Sequence, residues 1–203
     1  MPRTNSTRRQ PTQARARQTV DAILSAVTRI LKREGIAAVT TNRIAEVAGV
    51  SIGSVYQYFS DKRAIFVALH QRHLEEVDRL VERTLVEHAA APLAELIHAM
   101  VAAMIEAHTR DPELHGLMLS EVPHRAEGSR EFAVRLHGAF RLAIAARAAE
   151  LGPHHDLDLT TFVVTQMVEA LSHGAVLRRP AGVSLTAARE EAVRAILMYL
   201  LAR

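Results

Sequence analysis

The sequence predicts an all-α chain of about nine helices, a small three-helix head followed by a larger helical body. Three observations carry that prediction. The chain is rich in Ala, Leu, Glu and Arg, with only 9 Gly, 7 Pro and 4% aromatic residues among 203, a composition that favours helix over sheet. Its apolar residues recur at three- and four-residue steps. Its charge is partitioned: residues 1–63 carry 11 Lys and Arg against 4 Asp and Glu, a net +7, and the remainder carries 14 against 18, a net −4. A basic head on an acidic body points to a polyanionic partner for the head.

Residues 1–16 hold Arg3, Arg8, Arg9 and Arg15 with no acid and almost nothing apolar, and read as a flexible basic arm. From Arg17, Val20, Ile23, Leu24, Val27, Ile30 and Leu31 line one face of a first helix, which Gly35 is expected to stop in a left-handed cap. Thr40 or Thr41 caps a short second helix with Ile44, Val47 and Ala48 inward, and Gly49 ends it. Ser51 caps a short third helix, with Val50 and Val55 at the spacing of a hydrophobic staple. Ser60-Asp61-Lys62 closes it and opens a long fourth helix to about His88, whose apolar positions drift between faces as in a connector. Pro92 opens a fifth helix, and Asp111-Pro112-Glu113 starts a sixth. A seventh runs from Ser129 to Leu151, stopped by Gly152-Pro153. An eighth, capped by Asp158, reaches about Leu177, and a ninth, capped by Ser184 or Thr186, runs to the C-terminus.

Helices two and three, joined by a glycine turn and supported by helix one, form a helix-turn-helix over residues 17–63, which leaves 64–203 as the body. With Val55 and Phe59 assigned to the core, the third helix presents Ser51, Ile52, Gly53, Ser54, Tyr56, Gln57 and Tyr58, with Lys62 just beyond and no acid among them. Small groups at the start of a helix let it approach base edges, and Tyr and Lys donate to phosphate oxygens.

The stretch Thr40–Lys62, TTNRIAEVAGVSIGSVYQYFSDK, resembles the DNA-binding signature of the TetR family of bacterial regulators. It shares the Thr before the second helix, the Ile-Ala pair, the Gly-Val-Ser turn, and Tyr-x-Tyr-Phe followed by Lys. The resemblance implies that Thr41, Tyr56, Tyr58 and Lys62 hold phosphates, and that Asn42, Ile52, Gly53, Ser54 and Gln57 meet base edges or their surroundings. Asn42 and Gln57 each suit bidentate bonding to adenine, and Ile52 suits a thymine methyl. A guanine contact has to come from Arg43 or from the N-terminal arm, because the third helix has no cation before Lys62.

The resemblance further implies a body that binds a small effector and pairs with a second copy. Phe162, Ala170 and Gly174 on the eighth helix, with Val193, Ile196, Leu197, Leu200 and Leu201 on the ninth, are the expected dimer contacts. Met100, Met104, His108, Met118, Phe132, Leu136, Phe140 and Met167 are candidate lining for an apolar pocket, with His137, Gln166, Glu169 and His173 as polar anchors. The bias is toward a lipophilic or aromatic effector.

The chain has no Cys, which removes disulfides, thiolate metal sites and a cysteine nucleophile. With no apolar leader and no run near the ~18 residues of a membrane span, it is expected to stay in the cytoplasm. No Gly-rich phosphate loop, nucleophile elbow or paired catalytic carboxylates appear, so neither an enzyme nor a cofactor is expected. All 11 His lie from His70 onward; His70 and His73 stand at i, i+3, His154 and His155 precede Asp156, and His108 and His115 flank Asp111. None makes a HExxH pattern, and scattered surface or helix-end histidines are expected rather than a metal site. The alternatives to a ligand-responsive repressor on a double-stranded operator are an all-helical His-rich metal enzyme and a nonspecific DNA-packaging protein.

Overall fold

The computed structural model describes residues 9–122, 128–152 and 156–202, and every regular element in it is helical. The α-helices among the described residues are α1 (Arg9–Glu34), α2 (Thr41–Ala48), α3 (Ile52–Tyr58), α4 (Lys62–Glu87), α5 (Leu93–Thr109), α6 (Pro112–Glu121), α7 (Ser129–Ala145), α8 (Leu157–Leu177) and α9 (Leu185–Leu201). Short 3-10 turns lie at Ile36–Ala38 and Ala148–Glu150. The chain divides into two compact units. One, the head, comprises residues 1–70 with Leu117–Val122, and the other, the body, comprises Gln71–Gly116 with residues 123–203. Helices α4 and α6 therefore contribute residues to both.

In the head, Ile23, Val27 and Ile30 of α1, Ile44 of α2, Val55 of α3, and Ile65 and Phe66 of α4 are almost completely buried. The capping chemistry agrees with the residue types. Thr40 accepts from the Arg43 amide, Ser51 from the Ser54 amide, and Asp61 from the Ala64 amide. Gly49 closes α2 in the left-handed conformation at φ 71°, ψ 31°, which a residue without Cβ adopts at no steric cost.

Two expectations about α1 are corrected. It starts at Arg9 rather than Arg17, so part of the presumed arm is helical; Pro11 falls in the first turn, where its missing N–H is harmless, and Ala14 and Ala16 are strong helix formers. Arg3 and Arg8 lie outside the described residues. At the other end, Gly35 does stop the helix with a positive φ of 79°, which glycine adopts readily, but its ψ of 175° departs from the left-handed helical cap.

The body core joins α4, α5, α7, α8 and α9, with Leu93, Met100, Val101, Ile144, Val164, Val193, Ile196 and Leu200 at most 1% exposed. Helix α7 ends at Ala145, not Leu151. Arg147 turns out of helical geometry so that its guanidinium can donate to the carbonyls of Ala91, Ala143, His88 and Ala89 at 2.8, 2.9, 2.6 and 3.0 Å. Three residues on, the Glu150 carboxylate accepts from the Leu93 amide at 2.8 Å and caps α5, whose N-cap residue Pro92 has no side-chain acceptor. Helix α8 is capped by Asp156 rather than Asp158; Asp158 sits in the first turn, where its charge suits the helix dipole, and pairs with Arg141. Ser184 caps α9.

Candidate nucleic-acid interface and effector cavity

The head displays a coherent exposed face. Ser51, Ile52, Gly53, Tyr56, Gln57 and Tyr58 are all exposed along seven residues of α3 and its cap, and Ser54 is half-buried. Three of these are large: Ile52 is 39%, Tyr56 54% and Tyr58 37% exposed, an arrangement that nothing in the head's own packing requires. Val55 and Phe59 point inward as expected. At the start of α2, Asn42 is exposed and the Thr41 hydroxyl lies 3.3 Å from that of Tyr56, so the two helices share one polar edge. Lys62, exposed at the first turn of α4, has its ammonium 5.6 Å from the Phe66 ring centroid, which steadies the side chain without neutralising it.

Arg43 is the exception within this set. Its guanidinium grips Glu34, with Nε donating to Oε2 at 2.9 Å and to Oε1 at 3.3 Å and Nη2 to Oε1 at 2.7 Å, and its Nη1 lies 2.7 Å from Glu46 Oε2. The bond to Arg43 holds the Glu34 carboxyl below its usual range, and the two carboxylates raise Arg43 further. These bonds tie α1 to α2. Arg29 reinforces the same junction by donating to the Val47 carbonyl at 2.8 Å.

In the body, the candidate effector residues separate into groups. Met100, Met104 and Phe140 are at most 4% exposed and belong to the packed core, as does Leu136. Phe132 and Met167 pack against that core, and His137 is half-buried. Met118 belongs to the head unit, and Gln166 and Glu169 are exposed on α8. Met100 and Met104 are part of the core to which α4, α5, α7, α8 and α9 contribute. A cleft of about 740 Å³ opens instead between α4 and α7, lined by Val81, Leu85, Leu136 and Ala139 with the Asp78–Arg135 ion pair at its wall. Of the candidate lining residues only Leu136 faces it, and no spacing pattern in the sequence pointed to the pair.

The dimer candidates divide as well. Val193, Ile196 and Leu200 are core of their own body and are withdrawn as contacts; Leu197 is half-buried. Phe162 (56%), Ala170 and Leu201 (43%) are exposed, and two residues not anticipated, Leu159 (59%) and Met198 (69%), extend the same stripe. A Cβ built on Gly174 meets nothing within 4 Å, so its smallness serves no contact inside the chain.

The histidines also depart from expectation. His73, His108, His115 and His173, from α4, α5, α6 and α8, stand together inside the body, and His108 and His115 are only 2% and 4% exposed. His154 and His155 lie outside the described residues.

Comparison with known proteins completes the picture. Residues 92–200 match the tetracyclin repressor-like C-terminal domain, and residues 23–69 match the tetR family of bacterial regulatory proteins. The HTH-type transcriptional regulator AcrR of Shigella flexneri is 25% identical over 127 residues, 61% of this chain and 56% of that protein, so the match spans little more than half the length of the relative. Among solved structures, a TetR-family regulator from Streptomyces coelicolor superposes with a TM-score of 0.67 at 24% identity, covering 91% of this chain and 96% of its own. The regulator FadR from Bacillus subtilis, solved in complex with stearoyl-CoA, superposes with a TM-score of 0.63 at 16% identity, covering 91% and 98%. No helix among the described residues is long and apolar enough to cross a membrane.

Proposed function

Because the chain belongs to the TetR family of transcriptional regulators, we propose that it acts in the cytoplasm as a homodimeric repressor that binds a pseudo-palindromic operator and releases it when a small lipophilic or aromatic effector occupies the body. The solvent face of α3 is the observation that carries this proposal: two tyrosines, an isoleucine and a glutamine exposed together on a helix that bears no acid. Each head inserts α3 into a major groove, with half-sites about one turn (~34 Å) or a small multiple apart. Asn42, Ile52, Gly53, Ser54 and Gln57 face base edges, while Thr41, Ser51, Tyr56, Tyr58 and Lys62 hold the backbone. The guanine contact falls to the N-terminal arginines, since Arg43 is engaged by Glu34 and Glu46. The effector enters the cleft between α4 and α7, where apolar walls and the Asp78–Arg135 pair suit an amphipathic molecule; FadR, which shares this fold, was solved with an acyl-CoA.

A titration of operator DNA distinguishes specific recognition from charge-driven packaging. Gln57→Ala is expected to change base preference at one position per half-site, at a cost of about 1–3 kcal/mol there, whereas Tyr58→Phe weakens all sites alike. Gly53→Ala is the sharpest test. A Cβ at this position has the Ser51 Oγ at 3.7 Å, ordinary van der Waals contact, so the fold accepts it and helix propensity improves by up to about 1 kcal/mol. Operator affinity is nevertheless expected to fall roughly tenfold, because the methyl group stands between α3 and the DNA. Equal affinity for operator and random sequence, or an undiminished Gly53→Ala variant, would overturn the placement of α3.

A further inference from the structure

We propose that His73, His108 and His115 form a binding site for a divalent transition-metal ion within the body, with His173 placed to supply a fourth imidazole. One ring nitrogen from each of the first three lies within 4.8 Å of the others. The rings are tilted around a common centre rather than stacked: centroids are 5.4 Å apart for His73 and His108, 5.0 Å for His73 and His115, and 4.2 Å for His108 and His115. His173 brings a fourth ring to 4.5 Å from His108 and 4.8 Å from His115. All four residues belong to the same compact unit.

Energetics make an incidental grouping costly. The Nδ1 of His108 is buried without a hydrogen-bond partner, a penalty of the size of a lost hydrogen bond, and a metal–nitrogen bond relieves it. A neutral imidazole keeps the ring-nitrogen lone pair that a metal needs. Imidazoles alone suit zinc, copper, nickel or cobalt rather than calcium or magnesium, which take oxygen ligands. Tetrahedral zinc with bonds near 2.0–2.1 Å sets its nitrogens roughly 3.3 Å apart. The present separations of up to 4.8 Å have to close toward that value when an ion binds.

His73 lies on α4 and His115 on α6, so the ion ties two helices together within the body, and an effect of the metal on operator binding is expected from that tie. That consequence rests on the operator-binding reading. The site does not, and binding measured directly on the free protein separates the two.

The test uses full-length protein without a polyhistidine tag, stripped with chelator, and titrated with Zn²⁺ by calorimetry and with Co²⁺ by visible absorption. One ion per chain is expected, with an intense cobalt spectrum of low coordination number. His73→Gln, at a half-buried position chosen to spare the fold, is expected to weaken binding by at least ~100-fold, more than loss of a supporting hydrogen bond costs. His115→Gln is expected to do the same, and His98→Gln, exposed on α5, to change nothing. Circular dichroism of each apo variant separates lost ligation from lost fold. The proposal is overturned if the folded His73→Gln and His115→Gln variants bind zinc as wild type does, or if the wild-type cobalt spectrum is that of the hexaaqua ion.

Discussion

Arg147→Ala is expected to destabilise the helical body by about 3–5 kcal/mol, the largest stability loss from any single side-chain truncation outside the apolar core. The residue is 7% exposed and its guanidinium holds four backbone carbonyls. His88 and Ala89 supply carbonyls just beyond the end of α4, and Ala91 supplies another just before α5, so one side chain satisfies a helix end and the turn that follows it. Hydrogen bonds to a charged donor contribute about 1.5–3 kcal/mol each, and desolvation of the guanidinium offsets part of the sum. The remainder corresponds to a fall in melting temperature of roughly 10 °C for a unit of this size. Arg147→Lys is expected to recover only a fraction, because an ammonium cannot reach carbonyls spread across the planar fork. Glu150→Gln, which retains an acceptor for the Leu93 amide, is expected to cost about 1 kcal/mol. Urea unfolding followed by circular dichroism measures all three. A loss below about 0.5 kcal/mol for Arg147→Ala would mean that water replaces the guanidinium at little cost.

Arg147 also marks where sequence reasoning stops. The head is legible almost residue by residue because its determinants are local: Thr40, Ser51 and Asp61 cap within three residues, Gly49 supplies a left-handed turn, and the i, i+3, i+4 pattern of α1 locates its buried face. The interruption of α7 is not local. Its cause is a set of carbonyls 56–59 residues away in the chain, and Ala143-Ile144-Ala145-Ala146 would otherwise continue a helix without objection. The same holds for the histidine group. His73, His108, His115 and His173 lie on four helices with no common interval, and only their assembly in three dimensions brings them together. Periodicity likewise identifies Met100 and Phe140 as inward-facing but does not say whether the interior they face is packed or hollow. On α9, Ile196 and Leu200 follow the expected apolar stripe, yet the stripe points into the body rather than toward a partner. What α8 and α9 leave exposed is a different apolar set, Leu159, Phe162, Ala170, Met198 and Leu201, and we propose it as the face for a second copy.

That face leads to the second large effect. Phe162→Asp combined with Met198→Asp is expected to convert a dimer into a monomer and to lower operator affinity by about 10²–10⁴-fold. The first residue is 56% and the second 69% exposed within the chain, so neither aspartate burdens the core of its own body. On α8 the exposed positions Leu159, Phe162, Gln166 and Ala170 are spaced as one helical stripe, and Glu191, Arg194, Met198 and Leu201 form its counterpart on α9. Beside them, half-buried Gly174 has open space where a Cβ would stand, one turn beyond Ala170, which is the relief a closely approaching helix requires. A charge placed at Phe162 or Met198 meets its symmetry-related copy or an apolar surface, and either is unfavourable in a two-fold interface. The affinity loss follows from linkage of the two heads. In a dimer the second half-site is engaged at an effective concentration in the millimolar range, whereas a monomer must bind each half-site independently. Sedimentation equilibrium reads the first effect and a fluorescence titration with operator DNA the second. Leu142→Asp, 72% exposed on α7 rather than on α8 or α9, serves as the control and is expected to leave both unchanged. A double variant that still sediments as a dimer would place the interface elsewhere. A monomer with undiminished operator affinity would show that one head suffices, and the pseudo-palindromic operator would lose its physical basis.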